Sequence, residues 1–482
     1  MNYLDLSIEE INKLLKEKKI KPIDLVNEAF DKIEKSKDLN CFITLNKEEA
    51  IKRAKELEDM PVDNILFGIP IAIKDNIVTK DLLTTCGSKM LYNFNPIYNA
   101  HVVDLINSKN MIIIGKCNMD EFAMGSTTRT SYFGNTLNPC DKTLVPGGSS
   151  GGSAACVSAG LVPLSLGSDT GGSIRQPSSF CGVVGLKPTY GRISRYGLIA
   201  FSSSLDQIGP ISRNVYENAL LLNILCDKDE RDLTNINCEK EDFTNLIGKD
   251  IKGLKIAIPK FYVSDVIDKE ILDAFYNTVN MLKENGAIVS EVDMKYLDNA
   301  VCLYQVIAMG EASTNLARFD GIKYGYSYSD AKDINELYKK TRSEGFGEEV
   351  KRRMMVGSYL LSGPNARIYY DKALKIRKCI SNEFSKVFSN YDLIIGPVTT
   401  SLPCKLDEYF DDPNKSFMDD ILTIPVNMAG LPGLSLPVGK SVTNIPIGMQ
   451  IIGKRFDEQK VYQLGSFIEK KLNLSIRGEK HE

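Results

Sequence analysis

The stretch from Leu144 to Ser173, LVPGGSSGGSAACVSAGLVPLSLGSDTGGS, constrains the fold more than any other part of the chain. It holds two Gly/Ser clusters separated by a helix-like segment and a short apolar run. A Gly/Ser run on its own is most often a flexible linker. Here the residues between the clusters argue otherwise. Ala154 to Leu161 are small, apolar and uncharged, which suits a buried helix, and Val162 to Leu166 read as a short buried strand feeding the second cluster. Linkers do not alternate with core elements in this way. The clusters are therefore expected at the ends of buried elements, where glycine lets backbone approach a ligand closely. Thr170, Gly171, Gly172 and Ser173 are expected to offer several N–H groups to one oxygen, the form an oxyanion hole takes.

A serine nucleophile needs a base, and composition narrows the choice. The chain has 2 histidines in 482 residues, and one of them, His481, lies in a charged tail. His101 sits in YNAHVVDL beside an apolar helix start, where a surface or satisfied imidazole fits better; it stays open as an alternative base. The other base active at neutral pH is a desolvated lysine. Lys74 follows LFGIPIAI, a run that is apolar except for Gly68, so it should emerge from the end of a buried strand. Burial disfavours an ammonium and lowers its pKa, which would let Lys74 accept a proton; the competing reading is a strand-end lysine facing water.

Lys74, the cluster Gly147 to Gly152 and the cluster Asp169 to Ser173 together resemble the amidase signature family, whose triad is Ser–cis-Ser–Lys. The resemblance implies Ser173 as nucleophile, Ser149 as a bridging serine joined to Gly148 by a cis peptide, and Lys74 as base. Ser150 should matter much less. Longer matches, GKCNMDEFAMGSTTRTSYFGNTLNP, NLARFDG and GSDTGGSIRQPSSFCGVVGLKPTYGRISRYGLIAFSSSLDQIGPISR, are similar to the tRNA-dependent amidotransferase branch of that family. This resemblance runs from the first helix to about Gly453.

Length and composition fit one large enzyme. No repeat or low-complexity linker divides the chain, so the expected architecture is α/β, a mixed β-sheet core covered by helices, with a helical lead-in at 1–60 and an amidase domain at 61–482. Ser7 and Glu10 form a capping-box pattern ahead of the stripe Ile8, Ile11, Leu14 and Leu15. A strand at Leu254 to Ile258, a helix from Asp268 to Asn285 and a strand at Ala287 to Val292 read as a βαβ unit. Residues 223–252 and 320–347 are polar and poorly patterned, expected as surface or mobile segments. The net charge of −3 argues against a strongly basic nucleic-acid surface. The 11 cysteines contain no CxxC pair, which suggests neither a zinc site nor a disulfide framework but buried small residues in a reducing compartment. There is no secretory h-region and no apolar run near the ~20 residues a membrane span needs. The chain is expected in the cytoplasm, or in an organelle stroma or matrix, with no membrane contact.

The branch resemblance implies a glutaminase. Glutamine carries an α-carboxylate and an α-ammonium, so its pocket needs a cation and an anion set apart from the scissile amide. Arg353, in EEVKRRMMVG, and Asp420, in MDDILTIP, match those roles, with Arg352 and Asp419 as their competitors; Tyr304, in CLYQVIAMG, matches a third pocket residue. An arginine fork suits a carboxylate. The loop Asn118 to Thr130 is expected to line the pocket. One departure is plain: where the family continues with YYDAYY, this chain has LSGPNARIYYDKA.

The implied reaction is hydrolysis of glutamine through a glutamyl ester on Ser173. The ammonia would pass to a partner chain that amidates Glu-tRNA(Gln), or Asp-tRNA(Asn), with ATP and Mg. That partner and a small bracing chain, subunits B and C of the amidotransferase, would complete a heterotrimer. No P-loop is present, so no cofactor is expected in this chain. A free-standing amidase acting on small amides is the alternative; it would keep the triad and have no use for an Arg353/Asp420 pair. A non-enzymatic assembly protein is a third reading, disfavoured by the intact triad.

Overall fold

A computed structural model of the chain describes residues 2–237, 239–408 and 419–473. His481 and the end of the expected 61–482 domain lie outside the described residues. Eleven strands form one sheet. They are β1 (Phe42–Leu45), β2 (Pro70–Lys74), β3 (Ile112–Cys117), β4 (Leu164–Asp169), β5 (Val184–Lys187), β6 (Gln207–Ser212), β7 (Lys255–Pro259), β8 (Ile288–Val292), β9 (Leu393–Pro397), β10 (Gly433–Lys440) and β11 (Pro446–Ile452). Their order across the sheet is β1-β3-β2-β4-β6-β5-β10-β11-β9-β7-β8.

Directions are mixed, as expected. β2 lies between parallel β3 and β4, while β4 pairs antiparallel with β6. Every residue of β2, β3 and β4 is buried. Strands covered on both faces read as continuous apolar runs rather than alternating ones, which is the pattern IPIAI and IIIG present. β7 and β8 are parallel, joined through the helix Lys269–Glu284, so the expected βαβ unit is present. β10 and β11 form an antiparallel hairpin that sits mid-sheet, β10 against β5 and β11 against β9.

The lead-in is tied to this sheet. Ser7 and Glu10 cap the helix Ile8–Lys16 reciprocally: Glu10 N–H donates to Ser7 Oγ at 3.2 Å and Ser7 N–H to Glu10 Oε2 at 2.8 Å. Ile8, Ile11 and Leu15 are buried on the core side. After the helix Pro22–Lys35, β1 pairs antiparallel with β3, so the first 60 residues supply an edge strand. The polar stretch 320–347 is more ordered than its composition suggests, since it contains the helix Ile334–Gly345. Only Thr341 and Gly345 of that helix are buried, too little apolar burial to leave a 3.6-residue stripe in the sequence. Among the described residues no helix is long and apolar enough to cross a membrane.

Candidate active site

β2 ends in Lys74, and its parallel neighbour β4 ends in Asp169, immediately before the second Gly/Ser cluster. The first cluster begins the helix Gly151–Ser158, which packs over both strands. Adjacent strand ends and one helix start thus converge, although the residues are far apart in sequence. The Gly148–Ser149 peptide is cis. Ser150 N–H donates to the Ser173 carbonyl at 3.2 Å, which fastens the two clusters side by side.

Lys74 is fully buried. Its Nζ lies 2.8 Å from Ser149 Oγ, 2.8 Å from Ser150 Oγ, 2.9 Å from Ser168 Oγ and 3.2 Å from the Ser168 carbonyl. Burial lowers its pKa to about 7, opposed by the more distant charges of Asp120, Asp169 and Asp206. The amine is thereby poised to exchange a proton with a serine hydroxyl near neutral pH. Ser150 stands as close to Nζ as Ser149 does, so the sequence-based view of it as a bystander understates its contact. Ser168 and Asn76, which donates to Ser168 Oγ at 2.9 Å, complete the surroundings of the amine; no sequence pattern signalled either.

Ser173 opens into a small pocket that is also lined by Ala123, Gly125, Ser126, Tyr304, Arg353 and Asp420. All three residues named for glutamine recognition therefore line one cavity with the nucleophile candidate. Arg353 lies on the helix Glu348–Leu361 and is buried, with its Nε 2.6 Å from Glu349 Oε1 and its guanidinium 5.7 Å from the Phe201 ring centre. Arg352 also pairs with Glu349, but its side chain is 39% exposed, against 7% for Arg353. The same helix thus turns one arginine to the pocket and the other to solvent. Asp420 Oδ1 is buried without a hydrogen-bond partner among the described residues. Burial, with Asp419 and Asp169 nearby, pushes the Asp420 carboxyl well above the usual range. A buried carboxyl held up in this way becomes charged only where a cation meets it.

The loop from Thr170 to Ser173 is packed without room to spare. A Cβ at Gly171 would meet the Tyr304 ring at 2.9 Å, and one at Gly172 would run into Thr423 Oγ1 and Asp420 Oδ1. Its carbonyls are engaged: Gly171 O accepts from Thr423 Oγ1 at 2.6 Å and Gly172 O from Gln176 N–H at 2.8 Å. Across a trans peptide the N–H points opposite the carbonyl. Anchoring these two oxygens therefore turns the N–H groups of Gly172 and Ser173 to the other side. Behind the loop, Asp169 and Arg175 form a fully buried pair at 3.1 Å, and Asn427 donates to Asp169 at 2.8 Å. Burial alone would raise the Asp169 carboxyl, but Arg175 outweighs it and holds the pKa below the usual value. Gln176 ties the clusters to the pocket loop, accepting from Gly148 N–H at 2.9 Å and donating to the Ser126 carbonyl at 3.0 Å.

His101 is buried at the start of the helix His101–Ser108, with its Nδ1 3.0 Å from Arg231 Nη2 and 3.7 Å from Asp229; none of the pocket-lining residues is among these partners. The cysteines among the described residues are free, and no cluster of metal-ligating side chains occurs among them.

The amidase family model matches residues 24–462. The chain belongs to the amidase family. Among curated amidase relatives, the glutamyl-tRNA(Gln) amidotransferase A subunit of Staphylococcus haemolyticus is 52% identical over 479 residues, covering 98% of this chain and 99% of that protein. The crystal structure of the glutamyl-tRNA(Gln) amidotransferase A subunit from Thermotoga maritima matches with a TM-score of 0.82 at 41% identity, over 98% of this chain and 95% of that one. A bacterial aryl acylamidase of the amidase signature family, 23% identical, shares the fold with a TM-score of 0.87 over 99% of each chain. The amidase fold thus carries different amide substrates on one scaffold, and the pocket lining has to distinguish them.

Proposed function

We propose that this amidase is the glutamine-hydrolysing subunit of a glutamyl-tRNA(Gln) amidotransferase, and that Ser173, Ser149 and Lys74 perform the hydrolysis. One observation carries the reading: Arg353 and Asp420, a buried base and a buried acid, line the same small pocket as Ser173. A substrate bearing both a carboxylate and an ammonium answers both, and the unpartnered Asp420 oxygen gives the ammonium its acceptor. A simple aliphatic amide would leave the buried Asp420 oxygen without a partner. The names of the similar proteins support the same reading.

In this mechanism neutral Lys74 takes the Ser149 proton as Ser149 takes that of Ser173, and Ser173 Oγ attacks the side-chain amide carbon. N–H groups of the Thr170 to Ser173 loop hold the oxyanion. The relay returns a proton to the leaving nitrogen, ammonia departs, and water then cleaves the glutamyl ester on Ser173. Arg353 holds the α-carboxylate, Asp420 the α-ammonium, and Tyr304 closes the wall between them. The ammonia passes to a partner that uses ATP and Mg to amidate Glu-tRNA(Gln). Subunits B and C of the amidotransferase, the first of them this ammonia acceptor, complete a cytoplasmic heterotrimer.

The test is ammonia release from glutamine by the purified chain, alone and then with subunits B and C, ATP, Mg and Glu-tRNA(Gln). Release that rises sharply in the complex and disappears with Ser173→Ala supports the reading. Fast hydrolysis of simple amides by the lone chain, unchanged by Arg353→Ala, would make it a free-standing amidase.

A further inference from the structure

Asp206 takes no part in the chemistry above, yet its buried carboxylate is bound only to segments that shape the pocket. Oδ1 accepts from Thr170 Oγ1 at 2.7 Å, and Oδ2 accepts from the N–H groups of Phe201 and Ser202 at 2.9 Å each. No cation touches it among the described residues, and burial pushes its carboxyl up to about 6. It stands beside Gln207, the residue of β6 paired with Asp169 across the sheet, so its backbone is fixed to the strand that ends at the nucleophile loop.

Each contact has a consequence at the pocket. Thr170 is the first residue of the loop proposed to hold the oxyanion. Phe201 places its ring 5.7 Å from the Arg353 guanidinium. Ser202 Oγ donates to Glu311 at 2.6 Å, and Glu311 lies on Ala300–Asn315, the helix that carries Tyr304. A buried carboxylate without a counter-ion is held ionised only by its hydrogen bonds, and it gives them direction in return. An amide in its place can still accept from the two N–H groups, but it then faces Thr170 Oγ1 with an NH₂, which reverses that bond and strips it of its charge.

We propose that Asp206 is a positioning residue for the amide hydrolysis, setting the nucleophile loop through Thr170. This rests on the proposed role of that loop. Its hold on Thr170 predicts an effect on the chemical step rather than on glutamine binding.

The experiment uses the full chain assembled with whatever subunits its glutaminase activity requires, and reads kcat and KM for ammonia release. Asp206→Asn and Thr170→Val should each lower kcat by about 10- to 100-fold, approaching the loss of one oxyanion donor, with KM changed less than about threefold. Thr170→Ser, which keeps the hydroxyl, should restore most of the rate. The double variant should be no slower than the slower single one, because both act on the same link. Equal kcat in Asp206→Asn and wild type, or singles whose effects multiply in the double variant, would overturn the proposal. If Asp206→Asn fails to fold, the Thr170 pair decides: a Val variant as fast as wild type, or a Ser variant as slow as Val, overturns it. A wild type that releases no ammonia from glutamine, or a Ser173→Ala variant that still does, would instead sink the proposed function; in the first case the same variants read on a simple amide still decide the role of Asp206.

Discussion

At Lys74 four oxygen atoms crowd one buried amine, and a pKa near 7 makes its protonation the switch for the reaction. Its charge is lost as pH rises through about 7, and only the neutral amine can take the serine proton. A pH profile of kcat/KM for ammonia release should therefore climb about tenfold per unit below that point and level above it. Lys74→Ala should remove the activity and the inflection together, with the fold intact by circular dichroism. Ser150→Ala should lower kcat measurably, though less than Ser149→Ala, because Ser150 Oγ also accepts from Ser168 N–H at 3.3 Å and helps seat the amine. The lysine was legible because the chain has almost no histidine and because an apolar run precedes it; which two serines stand with it came from the resemblance of the Gly/Ser clusters to the amidase signature. Ser168, Asn76 and Asp206 were not, since their roles come from strands that become neighbours only in the folded sheet.

Elements transmit the same logic over longer distances. The buried Glu121 carboxylate accepts from Ser88 Oγ and from Gly347 N–H at 2.9 and 3.1 Å, and Gly347 caps the helix carrying Arg353. Glu121 belongs to the 118–130 loop that supplies Ala123, Gly125 and Ser126 to the pocket, so one carboxylate latches that loop to the recognition helix. Glu121→Ala removes a cap of about 1 kcal/mol and should raise KM for glutamine about fivefold while leaving kcat within about twofold. A kcat loss with unchanged KM would contradict this. The Asp169–Arg175 pair joins β4 to the helix Ile424–Ala429 through Asn427, and Arg175→Met strands a buried carboxylate. Chemical denaturation should show a loss of about 3–5 kcal/mol. Strands and the βαβ unit were readable from apolar runs and punctuation. The helix Ile334–Gly345 was not, because its surface is polar nearly all round, and that Arg353 rather than Arg352 lines the pocket follows from the direction in which the helix turns each side chain.

The whole molecule is one sheet, so its ends matter to its middle. Removing residues 1–46 would strip β1 from β3 and open an apolar edge; the shortened chain should aggregate on size exclusion, whereas a monodisperse, active product would show the lead-in to be dispensable. The strand order carries a further consequence for synthesis. Residues 42–212 form one half of the sheet and 255–397 the other, and the hairpin that joins them, 433–452, leaves the ribosome after both. Asp420 emerges just before it, some time after Ser173. A nascent chain therefore exposes two unfinished sheet edges and a serine with no complete recognition pair, which makes residues 420–452 both the keystone of folding and the point at which hydrolytic competence arrives. Truncated products of this gene would be idle and prone to clump, and a translational pause before residue 433 would prolong that interval of exposure.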